Sequence, residues 1–202
     1  MDYKPLRIKF EKAGSAKYIS HLDLNRVFAR SLARAGIGLA HSEGFNPRPK
    51  IVFASTLSLG LESFCEYADI KTEEPVTAAR IKNFFPQGIN ILEAYEPDTS
   101  FKIIDRTKFR IFISPPADAA DKLFLDDVFV EKKPGVSINL KDYICSLQTN
   151  KTGKFISAVL KTNQEMFLNP ENIVRAVSAK YTIDAYSIQK IEMYDKNNIV
   201  FK

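Results

Sequence analysis

The feature that most constrains this chain is a change of hydrophobic period within its first 36 residues. Leu6, Ile8 and Phe10 alternate with Arg7, Lys9 and Glu11, the period of two that a strand with one buried face requires. The period then lengthens. Leu24, Phe28, Leu32 and Ala35 recur at helical spacing after Ser20, which has a helix-capping side chain and an acid, Asp23, three residues on. Ile19 and Leu24 occupy the two positions of a hydrophobic staple, and Gly36 supplies the stop. A strand followed by a helix over about 21–35 is therefore expected, and an all-helical bundle is excluded for this part of the chain.

The alternation of elements continues. Short apolar stretches at 37–40, 51–54 and 67–71 read as strands, Val76, Ala79, Arg80 and Phe84 as a second helix closed by Pro86-Gln87-Gly88, and 89–94 as a further strand. The resulting order, β-α-β-β-α-β, is that of a ferredoxin-like unit. A looser second copy follows, with strand candidates at 109–113, 128–131, 136–140 and 155–160, a short helical stretch at 118–125, a helix opened by Asn169-Pro170, and a last strand at 187–194. The expected fold class is α+β, two tandem ferredoxin-like domains over 1–98 and 105–202. At 202 residues, with 45% hydrophobic and 26% charged side chains, the chain has room for two such cores.

Several function classes drop out early. The longest apolar runs are four to five residues, too short for a membrane span, and the first residues show no secretory pattern, so a cytoplasmic location without a membrane partner is expected. Two cysteines, Cys65 and Cys145, are too few and too distant to hold an iron–sulfur cluster, and with His21 and His41 they match no zinc spacing. No metal and no cofactor are expected in this chain. It also lacks a glycine-rich phosphate loop, a nucleophile elbow and a paired-carboxylate motif.

Charge is unevenly spread. The formal net charge is +5, yet residues 1–50 carry +6 and residues 51–100 carry −5, so a phosphate-binding surface is expected in the first fifty residues. Arg26, Arg30 and Arg34 recur every four residues and form a row about 12 Å long on the helix. Such a row suits phosphates or an acidic protein, or, with Asp23 at its head, a solvated salt-bridged face. His21, in the first helical turn, suits a general acid or base, a donor to a bound anion, or a hydrogen bond that fixes a neighbouring loop. The stretch His41-Ser42-Glu43-Gly44-Phe45-Asn46-Pro47-Arg48-Pro49-Lys50 is polar and stiffened by two prolines, as a binding loop is. Phe45 suits stacking on a base or anchoring in the core, and Arg48 with Lys50 suits phosphates. A helix over 21–35 followed by a strand from Ile37 would return the chain to the helix start, bringing His21 together with Glu43 and Asn46.

On Tyr18-Ile19-Ser20-His21-Leu22-Asp23-Leu24, Arg30, Arg34-Ala35-Gly36, Ser42 to Lys50, Leu57 to Ser63 and Glu66-Tyr67, the chain resembles the radical SAM-linked protein family, also described as domain of unknown function 2344. The resemblance spans nearly the whole chain and is most specific over 18–67. It implies a non-catalytic accessory module that acts with a radical SAM enzyme, the iron–sulfur cluster and S-adenosylmethionine belonging to that partner, and recognition of RNA or a ribonucleoprotein. Two other readings stay open. Paired ferredoxin-like domains also resemble CRISPR repeat-processing endoribonucleases, with His21 as the catalytic candidate, and the arginine row suits a pure protein-interaction adaptor.

Overall fold

The structure, a computed structural model, describes residues 2–116, 120–133 and 135–202. The chain is α+β and divides into two compact units, one running to Phe101 and including Lys202, the other covering Lys102–Phe201.

The first unit is built on β1 (Lys4–Lys12), with α1 (His21–Arg34), β2 (Ile51–Phe53), β3 (Glu62–Thr72), the single-turn α2 (Ala78–Ile81) and β4 (Ile89–Tyr95) following in order. β1 lies antiparallel between β3 and β4, and β2 lies antiparallel on β3, so the strand order is β4-β1-β3-β2. The period of two places Leu6, Ile8 and Phe10 in the core, where they meet Leu24, Phe28 and Leu32 of α1. Aromatic rings join the two layers: Phe28 stands 4.8 Å from Phe10, 5.2 Å from Phe53 and 4.9 Å from Phe85, in edge-to-face geometries that favour ring pairs. Burying one such ring contributes about 1.5–3 kcal/mol.

Helix α1 begins where its capping residue dictates, Ser20 Oγ accepting a 3.1 Å hydrogen bond from the Asp23 amide. It ends before Gly36, whose φ of +69° places it in the left-handed region that suits glycine. The expected strand at 37–40 is not one. Only Leu39 forms a bridge, to Thr72, because the chain turns out of the sheet after one pair and enters the 41–50 loop. The second helix is also shorter than its apolar spacing suggests, one α-helical turn running into a 3-10 turn over Lys82–Phe84.

In the second unit β5 (Ile104–Ser114), β6 (Phe129–Lys133), β7 (Val136–Asn139), β8 (Ile144–Thr149), β9 (Phe155–Lys161), α3 (Glu171–Ser178) and β10 (Ala185–Asp195) follow in order. Four of these strands form an antiparallel arrangement β10-β5-β9-β8, while β6 and β7 pair separately as a hairpin. Of the helical stretch expected at 118–125, residues 118 and 119 lie outside the described residues. Ala120–Phe124 forms a 3-10 turn. β8 has no counterpart in the sequence reading, since Ile144 and Leu147 are spaced by three and break the period of two.

Candidate functional site

Two ends of the first unit hold the residues singled out by sequence. The 41–50 loop leaves the sheet beside the end of β3 and is closed at its base. His41 bridges Pro49, the Ser42 amide donates to Arg48 O at 2.8 Å, the Arg48 amide donates to Ser42 Oγ at 3.0 Å, and the Lys50 amide donates to Ala40 O at 2.9 Å. Ala40 is itself held to the sheet, its amide donating to Lys71 O at 2.9 Å. Beyond this closure Glu43, Phe45, Asn46 and Arg48 are exposed, as is Lys50 at the base. Phe45 is not a core anchor: its relative exposure is 111%, that of a ring with no protein packed on it. Gly44 permits the turn at its φ of +116°.

His21 lies at the other end. Its imidazole is exposed and stands 5.3 Å, edge-on, from the Phe53 ring. With Lys12, Leu24, Ser55, Leu57 and Glu66 it lines a cleft of about 10 Å³, the space of one water molecule. Register separates this cleft from the loop. The cleft is level with the Phe10–Glu66 pair, whereas the loop base is level with Thr72, and six residues of strand span about 20 Å. His21 therefore does not meet Glu43 or Asn46. The expected return path fails because the chain makes its loop excursion first and runs back toward His21 only as β2, so that Phe53 is the residue that arrives.

At the His21 end the structure adds two groups that sequence reading missed. Lys12 is buried, and its Nζ donates to Ile19 O at 2.7 Å and Lys17 O at 3.4 Å, tying the end of β1 to the entry of α1. Burial pushes the Lys12 ammonium below the usual lysine range, and the charge of Glu66, buried beside it, acts in the opposite sense. The signal was available: Lys12 stands in phase with Leu6, Ile8 and Phe10, and Glu66 in phase with Ala68 and Ile70, so both charges occupy core-facing positions.

The arginine row is partly committed. Arg26 Nη1 lies 2.8 Å from Asp23 Oδ1, and the Asp23 carboxyl is held below the usual range by its hydrogen bonds from Ser20 and Arg26. Arg34 Nη2 donates to Phe84 O at 2.5 Å and to Ser31 Oγ at 3.3 Å. Among the described residues, Arg30 is the member of the row that forms no ion pair or side-chain hydrogen bond. Cys65 is buried and Cys145 exposed, and among the described residues neither is in a disulfide. Among the described residues no three His, Cys, Asp or Glu side chains group as metal ligands, and no helix is long and apolar enough to cross a membrane.

A family model described as "Uncharacterized protein conserved in bacteria (DUF2344)" matches residues 5–170. No functionally curated protein matches the chain. Among solved structures, the crystal structure of an unknown protein from Galdieria sulphuraria aligns with 94% of this chain and 99% of its own, at 8% identity and a TM-score of 0.30, a likeness too weak to assign fold or function.

Proposed function

The chain belongs to the DUF2344 family of uncharacterized bacterial proteins, and from that premise we propose that it is a non-catalytic binding module acting with a radical SAM enzyme in the recognition of RNA or a ribonucleoprotein. In this reading the partner holds the iron–sulfur cluster and S-adenosylmethionine, and this chain presents the substrate. The observation that carries it is the base-locked loop at 41–50, which exposes an aromatic ring, an amide and two cations in the part of the chain where positive charge is concentrated. A loop that served only to connect α1 with β2 would need none of these groups.

The reading includes a ferredoxin-like form for each unit. The antiparallel order β4-β1-β3-β2 in the first supports it, as does the matching order β10-β5-β9-β8 in the second. In the second unit the hairpin β6–β7 and the 3-10 turn at Ala120–Phe124 stand between β5 and β8, where the first unit has α1 between β1 and β2.

The test is co-purification of the full chain with a radical SAM protein encoded beside it, with and without ribonuclease. The expected result is a complex that contains RNA and is weakened by ribonuclease. A complex of the two proteins that is free of nucleic acid and indifferent to ribonuclease assigns the chain to protein-interaction adaptors. RNA cleavage by the chain alone, abolished in His21→Ala, assigns it to endoribonucleases. Either outcome overturns the proposal.

A further inference from the structure

We infer that the 41–50 loop takes single-stranded RNA, one base stacking on Phe45 and the adjoining phosphates contacting Arg48, Lys50 and Lys71; this rests on the RNA-recognition reading above and specifies its ligand and site. Three observations lead to it.

The first is the ring itself. An aromatic side chain exposed at 111% beyond a closed loop base loses its hydrophobic benefit in the folded state, and a nucleobase offers the flat apolar face that restores it.

The second is the placement of cations. Ile70 and Thr72 are buried while Lys71 between them is exposed, so Lys71 projects from the sheet face opposite the α1 core. Lys50 precedes Ile51, which packs against that core, and stands in phase with the exposed Val52, so it projects from the same face. Ala40 lies between them through its bonds to Lys71 O and the Lys50 amide, a separation of two strand spacings, about 9–10 Å. Arg48 follows on the returning arm of the loop. Among the described residues none of these three cations forms an ion pair.

The third is the state of the neighbouring acids. Asp69 is committed to Arg7 at 2.8 Å and Glu74 to Arg80 at 2.7 Å, leaving Glu43 in the loop and Glu73 beside Gly38 against Arg48, Lys50 and Lys71. The local excess is positive. A single strand is favoured over a duplex because paired bases are already stacked, and the narrow major groove of A-form RNA does not admit a loop tip.

The experiment uses fluorescence anisotropy with the full chain, a labelled single-stranded RNA oligomer of mixed sequence, and a hairpin duplex of the same composition. Wild type should bind the single strand in preference to the duplex. Phe45→Ala should weaken single-strand binding by about 5- to 150-fold, the range that loss of one stacked base produces, and Phe45→Trp should restore it. The combined Arg48→Gln, Lys50→Gln, Lys71→Gln variant should flatten the slope of log K against log salt by about 2, since each lost phosphate contact contributes about 0.7 for single strands. All four positions are exposed, and circular dichroism checks that the variants remain folded. Undiminished binding by both variants overturns the inference and leaves the RNA reading standing. Duplex preference also overturns it. Binding of neither oligomer overturns the inference and the RNA reading together. An acidic peptide that binds through the same residues while RNA does not overturns both in favour of a protein partner.

Discussion

Arg7 is a fully buried charge in the sheet of the first unit. Its side chain is 0% exposed, in the middle of β1, and that of its partner Asp69 is 30% exposed. All five guanidinium N–H groups are engaged. Nε and Nη2 donate to the two Asp69 oxygens at 2.8 Å each, Nη2 also to Thr99 O at 2.8 Å, and Nη1 to Thr99 Oγ1 and Lys202 O at 3.1 Å each. The guanidinium also stands 4.4 Å from the Phe101 ring centroid. Burial works to lower its pKa, yet the hydrogen bonds and charge of Asp69 leave it raised. The two partners should therefore differ in what their loss costs. Asp69→Leu strands a fully buried cation and should cost about 3–5 kcal/mol, a large share of the 5–15 kcal/mol or so that holds a typical domain together. Arg7→Met leaves a carboxylate that water already reaches and should cost less, about 2–3 kcal/mol, part of it from the Thr99 carbonyl that loses its Arg7 bond, while Lys202 O keeps its 3.1 Å bond from Thr99 Oγ1. The double variant should lie closer to wild type than Asp69→Leu alone. Urea unfolding followed by circular dichroism measures all three. If Arg7→Met is the more damaging single change, or both single changes cost under about 1 kcal/mol, the reasoning from exposure and donor count is refuted.

The Tyr95 hydroxyl is buried without a hydrogen-bond partner among the described residues, and burial, opposed by the nearby Arg7 charge, pushes its pKa up to about 12. An unfolded tyrosine titrates near 10, so between pH 10 and 12 the folded chain keeps a proton that the unfolded chain loses, and stability falls as pH rises, by about 1 kcal/mol at pH 11. Tyr95→Phe should abolish that fall and add about 1 kcal/mol below pH 10, which urea unfolding at pH 8 and 11 measures; a constant difference between the two proteins contradicts it. Gly88 has a φ of +89°, and a methyl group there would stand 2.5 Å from Ala13 O and 2.8 Å from the Ala16 Cβ. Gly88→Ala should therefore cost more than about 2 kcal/mol, whereas Gly14→Ala, also in the left-handed region but facing open space, should cost about 1 kcal/mol; equal losses in thermal unfolding would show that the close approach is unimportant.

Much of the first unit was legible because local signals and tertiary packing agree there. The alternation of Leu6, Ile8 and Phe10, the Ser20 cap and the Gly36 stop each have the structural consequence their chemistry predicts. Arg7 shows where such reading ends. Period two tells which face of a strand is apolar, and it does not tell whether the polar face is covered. Lys12 and Glu66 carried a signal, charge in a core-facing phase, that a search for alternating apolar residues passes over. The separation of His21 from the loop was hidden for a different reason. The rises of helix and strand were correct, but the path depended on whether residues 37–40 pair as a full strand or as a single bridge, and that is settled by the β3 partner rather than by local sequence. The loop itself stood out in composition as polar and proline-stiffened, whereas the exposure of Phe45 required the hydrogen-bonded closure between Ser42 and Arg48 to be seen.

The most direct test of the central proposal, that this chain recognises RNA through its first unit, is ultraviolet crosslinking of the full protein to single-stranded RNA, with the modified peptide mapped by mass spectrometry. The account predicts a nucleotide adduct on the peptide that contains Phe45, lost in Phe45→Ala. Crosslinks confined to residues 102–201, or none under conditions where a known RNA-binding protein crosslinks, would contradict it.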